Sequence, residues 1–172
     1  MFTHQYDKRS AANIGSRAER IFISLAVKNG FEVSPSKVSE NKINHIDFFL
    51  KKENVIKSVD VKARKKLSAY DASYNDDWTW VEFKNANGFK GWLYGDADYI
   101  AFEKERAFLM VDRISLLRLS ESLVDKSKDF AKRSSDAKYR IYQRRDQEEI
   151  SLIKTSDIKK LKRCTIWEKD GF

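Results

Sequence analysis

A single cysteine, Cys164, and a single proline, Pro35, stand in a chain of 172 residues. One thiol cannot close an intramolecular disulfide, and it cannot supply a cysteine-rich zinc site. Histidine is almost as scarce: there are two, His4 and His45. With His4 so near the terminus, a Ser-His-Asp or Cys-His engine would rest on His45 alone. The sequence carries no P-loop, no dinucleotide-binding glycine fingerprint and no HExxH. No apolar run approaches the length of a membrane span, and residues 1–9 are too polar for a secretory signal. The expectation is a soluble, intracellular (cytoplasmic) protein whose catalytic inventory is carboxylates and lysines.

What is present is a core and an excess of positive charge. Hydrophobic residues make up 41% and aromatics 13%, enough to fold despite 35% charged residues. The length suits one domain, 1–172, large enough to bury a real core. The net charge is +8, and residues 125–163 hold 13 Lys/Arg against 7 Asp/Glu. Such an excess favours a polyanionic partner through phosphate contacts and counterion release, although a wet basic surface explains it too.

Periodicity divides the chain. Ile14, Ala18, Ile21, Phe22 and Leu25 form the apolar stripe of a helix over 11–29, ended by Gly30, with Glu19 on the stripe's border. Residues 31–33 read as a short strand closed by Ser34-Pro35-Ser36. Strands are expected over 45–51 and 55–64, joined by a hairpin at Lys52-Glu53-Asn54, then a polar loop over 65–77 and a strand over 78–84. Residues 85–95 carry three of the six glycines with Trp92 and Tyr94, and read as a loop containing a short helix. Strands over 98–102 and 107–111, a helix over 114–133, strands over 138–143 and 149–154, and a basic helix over 158–163 capped by Ser156 or Asp157 complete the chain. The fold class is mixed α/β: a mixed sheet with flanking helices, and a small basic C-terminal extension over 113–172.

The chemistry concentrates on the two paired strands. His45 and Asp47 share one face of the first; Ser58, Asp60 and Lys62 share one face of the second, opposite Val59, Val61 and Ala63. Two acids able to hold a hard divalent cation, beside a lysine, suit phosphodiester hydrolysis. The Asp/Glu-x-Lys triplet alone means little, since it recurs at Glu40–Lys42, Glu82–Lys84, Asp136–Lys138 and Asp157–Lys159. What distinguishes Asp60–Lys62 is an upstream strand acid and a leading helix with a border glutamate.

That order, Glu19 on a helix, Asp47 on a strand and Asp60-Val61-Lys62 on the next, resembles the PD-(D/E)xK nuclease superfamily with its restriction-endonuclease-like fold. The compact Holliday-junction-resolvase-like and phage-type endonucleases look nearest, and the resemblance spans roughly residues 11–112. It departs from the pattern where Asp47 follows Ile46 in place of proline. The resemblance implies that Glu19, Asp47 and Asp60 surround Mg2+, with Mn2+ as substitute, and that Lys62 orients or activates the attacking water. It implies a DNA endonuclease, with RNA left open as a partner and a homodimer as a fitting assembly.

Further candidates for nucleic-acid contact are His45, Glu82, Lys84, Trp92, Arg144 and Arg145. Glu82-Phe83-Lys84 is an internal competitor for the triplet, with Asp60 as its upstream acid, and ranks second because the connecting loop is long. The glycines of 85–95 would let a main chain approach a phosphate backbone, and Trp92 or Tyr94 would stack on a base; core aromatics in a glycine loop are the plainer reading. Two functional alternatives stay open: a nuclease-like fold that binds nucleic acid or protein without cutting, and a protein whose charges serve only solubility.

Overall fold

Two apolar faces of one sheet decide the architecture of the computed structural model, which describes residues 17–144 and 146–171. The expected helix start over 11–16, with Ile14, and the candidate Arg145 lie outside the described residues.

Helix α1 spans 17–28 and turns at Gly30, whose φ of +82° an L side chain resists. It buries Ala18, Phe22, Leu25 and Ala26 against Phe48, Leu50, Val59, Val61, Ala101, Phe108 and Met110, as the stripe predicts. Those partners lie on one face of a six-stranded sheet. Its strands are β1 (Glu32–Pro35), β2 (Phe48–Lys52), β3 (Val55–Lys62), β5 (Tyr99–Glu103), β6 (Ala107–Asp112) and β9 (Cys164–Glu168), side by side in that order. Only β3 and β5 run parallel; the other neighbours are antiparallel. The β2–β3 hairpin turns where expected, with Glu53 at φ +55°.

The opposite face is covered by a second, three-stranded antiparallel sheet. It is formed by β4 (Trp78–Lys84), β8 (Glu149–Lys154) and β7 (Tyr142–Gln143), with β8 in the middle. Val81, Phe83 and Ile153 from this sheet meet Ile100, Phe102, Leu109 and Val111, with Leu116 of helix α2 (Arg113–Leu123) and Ile158 of helix α3 (Thr155–Lys159) closing the same core. The mixed α/β class and mixed sheet therefore hold. Strand β4, however, belongs to the smaller sheet.

Several boundaries differ from the sequence reading. Strand β2 starts at Phe48, because His45 adopts φ +54° after a π-helical turn over Glu40–Asn44 that periodicity does not reveal. His45 and Asp47 thus do not share a strand face. Strand β1 includes Pro35 at the sheet edge, where a missing N–H costs no ladder bond. Helix α2 is well started by Asp112, which accepts the Ser115 N–H at 2.8 Å, but stops at Leu123, ten residues short of the expected end. Val124 turns extended and buried, and Asp125 accepts the Ser127 N–H at 2.9 Å in a local turn that competes with helix. Helix α3 starts at Thr155 without a side-chain cap; Asp157 is occupied by the Tyr139 hydroxyl at 2.6 Å. Strand pairing over 138–143 shrinks to Tyr142–Gln143, with Tyr139 at φ +55°. Edge strand β9 has no counterpart in the sequence reading.

Candidate active site

β3 is apolar toward α1 and carries Ser58, Asp60 and Lys62 toward the smaller sheet. Because that sheet lies over it, the polar face of β3 is covered too, and Asp60 is only 3% exposed. Lys62 Nζ lies 2.7 Å from Asp60 Oδ1. Asp60 Oδ2 is buried and has no hydrogen-bond partner among the described residues. Burial pushes the Asp60 pKa up to about 7; the Lys62 charge opposes this, and the Asp47 carboxylate reinforces it both by its charge and as an acceptor for the Asp60 proton, so Oδ2 lacks a protein donor and faces a second acid.

Asp47 reaches this point from the bend before β2. Its N–H donates to the Val59 carbonyl at 2.9 Å, and its Oδ2 accepts the Val61 N–H at 2.7 Å. Its Oδ1 accepts from the Asn41 side-chain amide, which the π-helical turn presents. Ser36 N–H bonds the Asp47 carbonyl at 2.9 Å and so fixes the other side of the bend. Asn41 is a site residue that sequence periodicity did not find, because the turn that carries it has no apolar repeat.

Glu19 approaches over the α1 side. It lines a shallow cleft of ≈ 240 Å³ with Pro35, Ser36, Val38, Asn41 and Asp47. Burial raises its pKa, the Asp47 charge raises it further and Lys62 lowers it. His45 is half-buried on the other flank; burial and Lys62 lower its pKa while Asp47 and Asp96 oppose them.

Lys62 also faces Trp92 and Glu82. Its Nζ lies 5.2 Å from the Trp92 ring centroid, and Trp92 is buried edge-on against Phe102, so the indole serves the core and is closed to a base. Glu82 Oε1 accepts the Trp92 N–H at 3.2 Å. Burial raises the Glu82 pKa; Lys62, the Trp92 N–H and Lys65 lower it, and Glu148 raises it. A Cβ on Gly91 would fall 2.5 Å from the Glu82 carbonyl oxygen, and one on Gly95 would fall 2.9 Å from that of Asn44. These glycines let protein backbones close around Glu82 and His45, which agrees with the plainer reading of a glycine loop with core aromatics over a phosphate approach.

The remaining candidates separate. Lys84 pairs with Glu149 at 2.6 Å, and Arg144 grips Glu148 through two bonds, of which Nη2–Oε1 is 3.0 Å. Lys65, absent from the sequence-derived set, stands by Lys62, Glu82, Arg144 and Glu148. The basic run Arg64-Lys65-Lys66 directly after β3 was its signal.

The arrangement fits a hard cation on one criterion, a buried carboxylate oxygen left bare beside a second carboxylate. Among the described residues no three His, Cys, Asp or Glu side chains converge to hold an ion alone. Mg2+ does not demand that, since one or two carboxylates with water and phosphate oxygens complete its shell.

No family model, curated protein or solved structure matches this chain. Among the described residues no helix is long and apolar enough to cross a membrane.

Proposed function

We propose that this protein is a divalent-metal-dependent nuclease that hydrolyses DNA phosphodiester bonds internally, on a PD-(D/E)xK-type site built from Asp47, Asp60, Lys62 and Glu19. The observation that carries the reading is the bare, buried Asp60 Oδ2 beside Asp47, with Lys62 2.7 Å from the other oxygen. A buried carboxylate oxygen without a donor is costly in a purely structural role. Asp60 and Asp47 would hold Mg2+ or Mn2+, with Glu19 contributing from α1, and the ion would neutralise charge on the phosphoryl oxygens.

The chain's own residues do the rest. Asn41 and the Val61 N–H fix Asp47, so its carboxylate is pre-aimed before substrate arrives. Lys62 balances Asp60 in the ion-free protein, and its ammonium is then placed to orient a water toward phosphorus. Asp60 must lose its proton for the site to load, so loading is favoured above pH 7.

The test is incubation of supercoiled plasmid, branched DNA and RNA with the protein in Mg2+, Mn2+ or EDTA. Cleavage that needs the ion and disappears in Asp60→Asn and Lys62→Ala supports the reading; no cleavage of any substrate under any ion rejects it. A second reading, a nuclease-like module that binds nucleic acid without cutting, rests on the net charge of +8, which favours a polyanion without requiring any chemistry. Salt-sensitive binding without cleavage would select it.

A further inference from the structure

The six-stranded sheet has two edges, and they are finished differently. β1 closes one of them. Because the Ser36 N–H bonds the Asp47 carbonyl, alternation turns the main chain of Pro35 away from β2, and proline has no N–H to offer a further strand. β9 forms the other edge. The Asp112 N–H bonds the Arg163 carbonyl at 3.0 Å, and the Lys169 N–H bonds that of Arg106 at 2.7 Å. From these two bonds, the main chain of Thr165 and Trp167 faces β6, and that of Cys164, Ile166 and Glu168 faces outward. The Cys164 N–H is taken by the Leu161 carbonyl at 3.1 Å. The Cys164 carbonyl and both main-chain groups of Ile166 and Glu168 have no partner among the described residues. No proline or bulge interrupts this edge, and Ile166 is 48% exposed on it.

The charges along β9 are ordered as well. The strand is entered through Lys159, Lys160, Lys162 and Arg163 and left through Glu168 and Asp170, while Lys169 is turned inward to Glu103 at 2.8 Å. Antiparallel to a copy of itself, its acidic end lies along the basic entry of the partner, twice over. With Ile166 opposite the partner's Ile166, the two residues exchange N–H and C=O bonds. Each Glu168 N–H then meets the other copy's Cys164 carbonyl, and the spent Cys164 N–H is not needed. The partner's Ile166 comes to the mouth of a cleft of ≈ 280 Å³ beside β9, whose lining includes Ala107, Leu109, Ile166 and Lys104.

We propose that β9 is the docking edge for a second copy of this chain, paired antiparallel about Ile166 so that two six-stranded sheets join into one. None of these groups belongs to the Asp47–Asp60 site, so the pairing stands or falls apart from any nuclease activity.

The test is sedimentation of the full chain from about 1 to 100 µM, the weak end of the range for protein interfaces, together with oxidative cross-linking. The wild type should pass from 20.2 kDa to twice that mass over this range. Ile166→Pro removes an outward N–H and leaves the β6 ladder intact, and Ile166→Lys places a charge at the two-fold axis. Both should raise the dimer dissociation constant at least about tenfold while keeping the wild-type circular dichroism. Ile166→Cys in a Cys164→Ser background should give a disulfide-linked dimer on oxidation, since facing residues of this pair type sit about 5.5 Å apart at Cα. Val55→Cys on the remote β2–β3 hairpin, in the same background, should not. A monomer throughout the range, a dimer untouched by both Ile166→Pro and Ile166→Lys, or a dimer in which Ile166→Cys does not cross-link overturns the proposal.

Discussion

Asp60 and Glu103 are two buried carboxylates on neighbouring strands, and they are treated in opposite ways. Glu103, at the end of β5, is fully enclosed and saturated: Arg17 Nη2 lies at 2.6 Å, Lys169 Nζ at 2.8 Å, and the Arg64 N–H reaches Oε2 at 3.2 Å. It ties the first described turn of α1 to the C-terminal segment and to the exit of β3. Asp60 has one lysine and a bare oxygen. Where the fold needs a buried charge for cohesion it surrounds it with donors; where a donor is withheld, the carboxylate remains free to take a ligand.

Removing either charge should therefore have opposite consequences. Glu103→Ala leaves Lys169, 8% exposed, without its carboxylate and should cost roughly 3–5 kcal/mol in urea unfolding. Asp60→Asn removes a poorly satisfied buried charge, and at pH 8 without divalent ions it should melt at or above the wild-type temperature. If both substitutions destabilise equally, the contrast is lost.

The pH profile sharpens the same contrast. The folded Asp60 pKa, about 7, lies above the ordinary aspartate value of 3.8, so the folded protein holds the proton that the unfolded chain releases. That contribution to stability is complete below the unfolded value and is lost as pH rises through about 7. In EDTA, wild-type stability should fall by a few kcal/mol across this window, at about 1.4 kcal/mol for each pH unit between the two values. The Asp60→Asn profile should be flatter. Mg2+ should oppose the loss, and its binding at pH 7 should release roughly half a proton, read by calorimetry in two buffers of different ionisation enthalpy. Zero release would mean that the ion does not use Asp60.

The smallest effect lies within the Glu103 cluster. Arg17 is half-exposed, so Arg17→Ala should cost about 1 kcal/mol or less, well under Lys169→Ala.

Much of this contrast is legible in the amino-acid sequence. The alternation of β3 puts Asp60 and Lys62 on one face, and the α1 stripe places Glu19 at its border; both are written in two- and 3.6-residue periods. His45 misleads because a left-handed residue breaks the strand period, and the π-helical turn before it has no apolar repeat to announce it. Helix α2 is overread because the polar residues after Leu123 are as compatible with helix as with turns, and the outcome is set by Asp125's bond to Ser127 together with long-range backbone bonds of Asp125 to Tyr139 and of Ala131 to Ile141. The membership of β4 in the smaller sheet, and with it the burial of Asp60 and Trp92, depends on long-range pairing with β8 that a local pattern does not encode.

The most direct measurement is Asp60→Asn assayed in one preparation for Mg2+-dependent plasmid nicking and for thermal melting at pH 8. Nicking should fall about a hundredfold or more while the melting temperature holds or rises. Retained nicking, or a melting loss comparable to that of Glu103→Ala, would contradict a carboxylate kept bare for a metal ion.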